Sequence, residues 1–359
     1  MNEIDRIETE LLRVPNDEPL EDATQSFDAL ELVLVRIARA DGVRGIGFTY
    51  TIGSGGRAIQ ELIETSLAST IRGTSAGPRD AHERLRAAST FIGREGLSEL
   101  AISAIDIALW DGLAKRFGAP LVEMLGGHPK ALPAYDTNVG WLHLDEATLI
   151  ENARSVAESE FVGMKMKLGR GLAEDEARVR AVRNALPGTD RLMLDANCGL
   201  TVAETRRFCR RIDELAIDWL EEPIEKGDYG GYSDLRSLVN MPIASGENLY
   251  SPMQFRQLVE CNGADVLQPD VCRVGGITGW MQVAQLAEAH GLELSPHYIE
   301  PIHAHLACCT PAATLIEHHS TVLDRVTEID TEAEAGSFRP GTAPGHGIRF
   351  VDIEKYRVT

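Results

Sequence analysis

Lysine is scarce in this chain of 359 residues. Six lysines stand against 29 arginines, and 55 acidic residues bring the formal net charge to −20. So acidic a chain lacks the basic surface with which proteins bind nucleic-acid phosphates. The scarcity also makes each lysine informative, and two of the six, Lys165 and Lys167, share one apolar segment.

Long apolar runs and cysteine motifs are missing too. The longest apolar stretch, residues 30–38, contains Glu31 and Arg36, whereas a membrane span needs roughly 20 apolar residues. The six cysteines form no Cys-x-x-Cys motif, which indicates reduced thiols. The first residues lack the basic-then-apolar pattern of a signal peptide. We expect a cytoplasmic protein with neither a membrane nor a nucleic-acid partner.

The predicted elements divide the chain into three parts. Residues 1–125 predict an α+β unit, and residues 126–325 alternate strand-like and helical runs, which is typical of a parallel sheet. Residues 326–359 are expected to pack back on the first unit. The strands and helices predicted for the first unit are 4–14, 30–38, 45–51, 57–71, 79–92 and 98–117, with a polar loop at 15–27.

Six ionisable residues close apolar runs at nearly even intervals. The steps between them are 28, 26, 26, 23 and 27 residues, about the length of one strand-helix unit. An open doubly wound sheet usually carries a Gly-rich phosphate loop after its first strand. Site residues spread over many strand ends are instead typical of a closed barrel, which we favour. The six residues are Lys167, Asp195, Glu221, Glu247, Asp270 and His297.

The three carboxylates in the middle of this series predict a metal site. Asp195, Glu221 and Glu247 are each one unit apart, and clustered like charges are unfavourable unless a cation lies among them. Three carboxylates with water and substrate oxygens suit octahedral Mg²⁺. Alternatively each is a helix N-cap or a solvated loop acid, but three matched positions argue against that reading.

The groups on either side of the carboxylates predict proton transfer. Lys165 and Lys167 are two apart on one strand and therefore share a face. A cation and a second ammonium lower a lysine's pKa, so that a neutral amine can act as a base; the alternative is an exposed pair on an edge strand. Asp270 and His297 close neighbouring strands, and the carboxylate would orient the ring and raise its basicity.

Together these groups predict chemistry next to a substrate carboxylate. A metal and a lysine would hold that carboxylate, a base would take the adjacent carbon's proton, and the metal would stabilise the enediolate. Two bases on opposite faces allow racemisation. Alternatively, protonated His297 can expel a β-hydroxyl as water.

Along essentially its whole length the chain resembles the mandelate racemase subgroup of the enolase superfamily. Sites with a Lys or His base and Mg²⁺ are already described for this superfamily. The resemblance rests on eight motifs: Ser103-Ala-Ile-Asp-Ile-Ala-Leu-Trp-Asp111, Gly118-Ala-Pro-Leu121, Lys165-Met-Lys167, Leu194-Asp-Ala-Asn197, Trp219-Leu-Glu-Glu-Pro223, Gly246-Glu-Asn248, Gln268-Pro-Asp270 with Gly275-Gly276, and Pro296-His297.

The resemblance implies a (β/α)₇β barrel under an α+β capping domain, and a homo-oligomer. It implies Mg²⁺ on the three carboxylates, Lys167 and His297 as bases, and Glu317 as an acid that hydrogen-bonds the enediolate. Lys165, Tyr135, Thr137 and Asn197 match residues that bind substrate or lie beside the metal.

One position departs from some relatives. Arg273 stands where muconate-cycloisomerase-like and dipeptide-epimerase-like enzymes carry a basic lysine. Because arginine stays protonated, the departure argues against those two chemistries and leaves His297 as the second base.

Residues 15–27 are expected to decide the substrate. Mandelate would need an apolar pocket, but this segment is mostly polar, so we favour an acid-sugar dehydratase that makes a 2-keto-3-deoxy sugar acid. A 2-hydroxy-acid racemase is the alternative; a non-catalytic binding barrel would be expected to have lost a base or a ligand. The segment's polar members are Glu18, Glu21, Asp22, Thr24, Gln25 and Ser26, beside Leu20 and Phe27.

The remaining motifs are interpreted as structural. Gly53-Ser-Gly-Gly56 predicts a hairpin turn, and Gly275-Gly-Ile-Thr-Gly279 a tight βα turn in preference to an anion site. His303-x-His305 and His318-His319 lack the spacing or the cysteines of a zinc site.

Overall fold

The computed structural model describes residues 2–319, 322–334 and 336–358. The chain begins with a three-stranded antiparallel sheet in the order β1-β2-β3. One face packs on the helices that follow, through residues such as Val33 and Val35, and the other packs on the barrel, through Leu32 and Leu34. Because β2 is covered on both faces, its residues 32–35 are all apolar. The strands are β1 Ile4–Glu21, β2 Ser26–Arg39 and β3 Arg44–Ile52.

Helices complete this capping unit. The long helix α4 is apolar nearly all round because it lies between the sheet and the barrel, and it ends where Gly118 adopts a left-handed conformation (φ 64°). Residues 53–56 lead into α1 and so do not form the predicted hairpin turn. The helices are α1 Gly56–Leu62, α2 Ala68–Ile71, α3 Pro78–Ala88, α4 Leu97–Phe117 and α5 Leu121–Met124, with a π-helical turn at Ile63–Leu67.

The polar loop predicted at residues 15–27 is wrong. β1 and β2 continue through most of this segment and pair up to Glu21 and Ser26, with an irregularity between Pro15 and Leu20. The turn is closed by the Asp22 carboxylate, which accepts the backbone N–H groups of the two residues that follow Ala23. The polar composition reflects a solvent- and cavity-facing hairpin, which resembles a loop in sequence.

Eight parallel strands and seven helices form the predicted (β/α)₇β barrel, which is thereby confirmed. The last strand, β11, pairs with the first, β4, and a bridge between Leu294 and Ala313 joins the neighbouring edge. The strands are β4 Leu132–Asp136, β5 Gly163–Lys167, β6 Arg191–Asp195, β7 Trp219–Glu221, β8 Ile243–Ser245, β9 Val266–Leu267, β10 Glu293–Leu294 and β11 Ile316–His318. The helices are α6 Glu146–Glu158, α7 Leu172–Ala185, α8 Val202–Ile212, α9 Tyr229–Leu238, α10 Pro252–Glu260, α11 Gly276–His290 and α12 Glu300–Ala307.

Strand register brings the charged residues into one layer. Lys167 on β5 pairs with Asp195 on β6, and Asp195 pairs with Glu221 on β7. Each of these residues ends its strand, so their side chains meet at the carboxyl end of the barrel, where active sites of this fold lie.

The last residues contact both units. β12 Thr327–Ile329 pairs with β15 Ile348–Phe350, and Phe350 packs edge-on against Phe48 of the capping sheet at 5.4 Å. β13 Glu332–Glu334 and β14 Ser337–Arg339 extend the barrel sheet from β4. The division at residues 125 and 325 stays a prediction. Within the described part of the chain, no helix combines the length and the apolar character needed to cross a membrane.

Candidate active site

Three buried carboxylates lie together at the centre of the barrel mouth. One oxygen from each of Asp195, Glu221 and Glu247 lies within 4.8 Å of the others, and their residues are 0%, 0% and 5% exposed. Asp195 and Glu221 end β6 and β7, and Glu247 follows β8 by two residues, so the three come from neighbouring strands, as the spacing predicted. This is a preformed set of hard oxygen donors.

The electrostatics of this cluster favour binding of a cation. Burial, with the neighbouring carboxylates Asp195 and Glu247, raises the pKa of Glu221 to about 8 although Lys165 opposes the shift. Asn197 Oδ1 is buried without a hydrogen-bond partner among the described residues, and Glu247 Oε2 has no hydrogen bond there beyond an ion-pair contact with His297 Nε2 at 3.4 Å. Crowded carboxylates beside an unpaired amide oxygen fit a divalent cation such as Mg²⁺.

Lys165 and Lys167 both point into this cluster. Lys165 Nζ lies 2.7 Å from Glu221 Oε1 and 2.8 Å from Glu317 Oε1, and it is 1% exposed. Lys167 Nζ pairs with Asp195 and lies over the ring of Trp141. The shared face predicted for the two lysines is therefore observed, at a buried site.

The pKa of each lysine shifts opposite to the expected direction. Burial disfavours the charged amine, but Asp195, Glu247 and Glu221 together outweigh it and raise the pKa of Lys167 to about 12. Burial likewise lowers the pKa of Lys165, but Glu221 and the other acidic neighbours raise it. The pKa of Lys165 therefore lies well above its ordinary value. The expected direction included a bound cation, which would lower the pKa of both lysines. The protein groups by themselves place negative charge around the two amines, and this raises the pKa.

Asp270 and His297 form the predicted pair across neighbouring strands. His297 Nδ1 lies 2.9 Å from Asp270 Oδ2, and His297 Nε2 lies 3.4 Å from Glu247 Oε2. Burial disfavours the imidazolium, but Glu247 and then Asp270 raise the pKa of His297 to about 9. Arg273 approaches from the other side, donating to Asn248 Oδ1 at 2.6 Å.

The other predicted residues lie in two places. Asn197 lines the cavity and donates its N–H to Asp195 Oδ1 at 2.8 Å. Thr137 Oγ1 donates to Glu317 Oε1 at 2.7 Å, and Tyr135 packs edge-on against Trp219 at 5.5 Å. Glu317, Thr137, Tyr135 and Lys165 do not belong to the lining of the cavity described next.

A cavity of about 670 Å³ opens above the carboxylates. Lys167 and His297 line its floor and the capping hairpin covers it. Six polar residues of the hairpin face it, and Glu21 and Ser26 do not belong to its lining. The six are Asn16, Asp17, Glu18, Asp22, Thr24 and Gln25.

The lining residues missed from sequence include Tyr50, Trp141 and His319. Trp141 packs edge-on against His319 at 5.4 Å. Burial lowers the pKa of His319 to about 3, so it is neutral, and our interpretation of it as purely structural overlooked its place in the cavity. A usable signal was spacing: His319 is two residues beyond Glu317, and Tyr50 precedes the glycines at the end of β3.

His303 does have the structural part expected of it. Its Nε2 accepts the N–H of Val271 at 3.2 Å, and its Nδ1 donates to the carbonyl of Tyr298. Burial lowers its pKa to about 4, so one neutral tautomer ties together the two loops that carry Asp270 and His297.

Two known family descriptions match the chain. Residues 6–126 match the mandelate racemase / muconate lactonizing enzyme N-terminal domain, and residues 148–354 match the family described as enolase C-terminal domain-like. The chain belongs to the mandelate racemase/muconate lactonizing enzyme family of the enolase superfamily.

Members of this family that are similar to the chain differ in activity. The L-talarate/galactarate dehydratase of Salmonella typhimurium is 32% identical over 99% of this chain and 90% of its own length. The 3,6-anhydro-alpha-L-galactonate cycloisomerase of Streptomyces coelicolor is 33% identical over 98% of both. A racemase from Streptomyces coelicolor A3(2), solved with bound magnesium, has a TM-score of 0.93 at 32% identity, covering 99% of this chain and 100% of its own.

Proposed function

We propose that this chain is a Mg²⁺-dependent acid-sugar dehydratase that makes a 2-keto-3-deoxy sugar acid. The single observation that carries the proposal is the polar hairpin over the cavity. Its amide, hydroxyl and carboxylate groups suit a substrate with several hydroxyl groups, since each hydroxyl needs a partner when it leaves water. The structure of the Salmonella relative with Mg and L-lyxarohydroxamate, at 31% identity and a TM-score of 0.92, supports it.

Asp195, Glu221 and Glu247 would hold the metal. When bound, the ion would offset the carboxylate charge that raises the pKa of Lys167 and would stabilise negative charge on the substrate carboxylate. Magnesium is bound in several similar structures. Lys165, between Glu221 and Glu317, would add a fixed positive charge beneath that carboxylate.

Lys167 would act as the base and His297 as the acid. Lys167 Nζ takes the proton from the carbon next to the carboxylate, and the electron pair of that bond becomes the new double bond. The β-carbon–oxygen bond then breaks, and the leaving hydroxyl takes a proton from His297 Nε2 and departs as water. Asp270 accepts a hydrogen bond from His297 Nδ1–H and thereby keeps that proton on Nδ1. The enol product tautomerises to the 2-keto acid.

The test is a panel of four-, five- and six-carbon acid sugars incubated with the protein and Mg²⁺. We expect one or more to be dehydrated, as measured by semicarbazide trapping of the 2-keto product. Lys167→Ala and His297→Asn should each abolish turnover. If no acid sugar is consumed while mandelate exchanges its α-proton in D₂O, the dehydratase proposal is wrong.

A racemase is the second candidate, and the pair of basic groups favours it. Lys167 contacts Asp195 and His297 contacts Glu247, so the two bases reach the carboxylate cluster from opposite sides. Such an arrangement can remove a proton on one face and return it on the other. Interconversion of two epimers without loss of water would identify this activity.

Two further expectations stay predictions. A homo-oligomer should appear as a multiple of the 39.2 kDa chain mass in light scattering. Cytoplasmic location should appear as protein in the cytosolic fraction of its host.

A further inference from the structure

The Asp270–His297 pair is also held by a residue of the capping unit. Tyr50 lies on β3, is 4% exposed, and reaches across the interface to the barrel. Its hydroxyl donates to Asp270 Oδ2 at 2.5 Å. This is the same oxygen that faces His297 Nδ1 at 2.9 Å. Burial raises the pKa of Tyr50 well above its ordinary value, so the hydroxyl keeps the proton that it donates.

The remaining contacts of Asp270 show what the hydroxyl adds. Oδ1 accepts the N–H of Cys272 at 2.7 Å, and Arg273 Nε lies 3.7 Å from Oδ2. Without Tyr50, Oδ2 would keep one close hydrogen-bond partner, His297 itself. With it, both oxygens are anchored by groups outside the pair, and the carboxylate plane has one orientation.

Tyr50 also touches the residue that follows His297. Its ring packs edge-on against that of Tyr298 at 5.0 Å and 84°. Tyr298 has a positive φ of 56°, so the loop beyond His297 is in a conformation that needs support from its surroundings. One side chain of the cap therefore contacts both loops of the pair.

We propose that Tyr50 is a positioning residue through which the capping unit aligns Asp270 and His297, so that the His297 side of the site is assembled by docking of the cap. The inference rests on the proposed function, because it assigns a part in proton transfer at the same site. Lys167 is held instead by Asp195 and Trp141, neither of which is a contact of the Tyr50 hydroxyl. The two bases should thus differ in their dependence on Tyr50.

The Tyr50→Phe variant removes the hydroxyl and keeps the ring. Exchange of the α-proton for deuterium is followed by NMR in D₂O with Mg²⁺, separately for the two α-epimers of a substrate identified in the panel or for the two enantiomers of mandelate. His297→Asn and Lys167→Ala first assign each epimer to its base. For the epimer that uses His297 we expect kcat to fall about 10- to 100-fold, the size of losing a hydrogen bond to a charged group, with KM within about twofold. Exchange of the Lys167 epimer should change less than about twofold.

A matched control is Tyr232→Phe. Tyr232 is equally buried, and its hydroxyl donates to the carbonyl of Ile224 at 3.0 Å; we expect exchange of both epimers to stay within about twofold. In an Asp270→Asn background, Tyr50→Phe should add no further loss, because its effect passes through Asp270. Equal loss for both epimers, a change in KM alone, or additive losses in the double variant would each overturn the proposal.

A crystal structure of Tyr50→Phe gives a readout that needs no turnover. We expect a rotated Asp270 carboxylate and a His297 Nδ1–Asp270 Oδ2 separation beyond hydrogen-bonding distance. An unchanged pair would refute the inference whatever the substrate. Conversely, a displaced pair in a protein whose wild type exchanges no acid sugar would refute the dehydratase proposal and keep the inference.

Discussion

Helix α11, which follows the loop of Asp270, is capped by side chains of the other unit. Ser103 Oγ on α4 accepts the N–H groups of Gly275 and Gly276, both at 3.0 Å. Asp106, one turn further, accepts the N–H of Thr278 at 2.9 Å. The start of α11 is therefore occupied by protein groups. A Cβ on Gly276 would lie 2.5 Å from Asp106 Oδ2, so only glycine permits this approach.

Ser103→Ala should destabilise the protein by about 2–4 kcal/mol, since it leaves two buried N–H groups unpaired at about 1–3 kcal/mol each, less some relaxation. Unfolding entropy of about 2 cal/mol/K per residue gives roughly 0.75 kcal/mol/K for the whole chain, so Tm should fall by about 3–5 °C. The hydroxyl's own bond to the carbonyl of Glu99, at 2.7 Å, adds little because a helical carbonyl keeps its backbone partner.

The assay is thermal unfolding by calorimetry, with Ser89→Ala as the control. Ser89 is also fully buried, but its hydroxyl donates only within its own unit, to the carbonyl of Leu85 at 2.9 Å. We expect its Tm to change by less than about 1 °C, in line with a local bond of small net value. Equal shifts for the two variants would refute the reasoning, because the loss would then come from buried hydroxyls in general and not from the cap-to-barrel contact.

Three further predictions follow from the site and the interface. Mg²⁺ at about 100 times its Kd should add about 2.7 kcal/mol of stability, and Glu247→Gln should remove most of that shift in a thermal titration; an equal shift in the variant would contradict the metal assignment. Burial raises the pKa of Asp106 to about 7, so its stabilising contribution is present below the unfolded pKa of about 3.9 and is lost as pH rises through about 7. The Tm of the wild type should therefore fall relative to that of Asp106→Asn between these two pH values. Parallel Tm curves for the two proteins would contradict the raised pKa. Gln25→Leu should raise KM for an acid sugar by about 3- to 10-fold with kcat unchanged, the effect of losing one hydrogen bond in ground state and transition state alike; an unchanged KM would mean that Gln25 does not meet the substrate.

Much of the barrel could be predicted because it repeats. Each unit buries a strand and one helix face, so hydrophobic periodicity recurs and a charged residue at each strand end stands out. The hairpin of β1 and β2 could not be predicted in the same way. Its tip pairs polar residues, and their strand conformation comes from long-range pairing and the turn at Asp22, which local composition does not reveal.

The position along the barrel axis could be predicted from sequence for some site residues and not for others. Lys167, Asp195 and Glu221 end their strands, and Glu247, Asp270 and His297 follow theirs by two or three residues. Parallel register brings these strand ends to one edge. The spacing of charged residues along the chain does not reveal how far from that edge a side chain lies. Lys165 and Thr137 were expected at the substrate; the structure places both against Glu317 and outside the cavity lining, and their part in substrate binding stays a prediction.

The sequence by itself determined the fold class, the ring of charged strand ends and the order in which three carboxylates stand between Lys167 and the Asp270–His297 pair, because these follow from periodicity along the chain. Only the tertiary structure decided which side chains of the capping unit meet the barrel. Tyr50 and Asp270 are 220 residues apart and Ser103 and Gly275 are 172 apart, and nothing local marks such pairs. They arise because burial forces each polar group to find its partner wherever the packed surfaces bring one within reach.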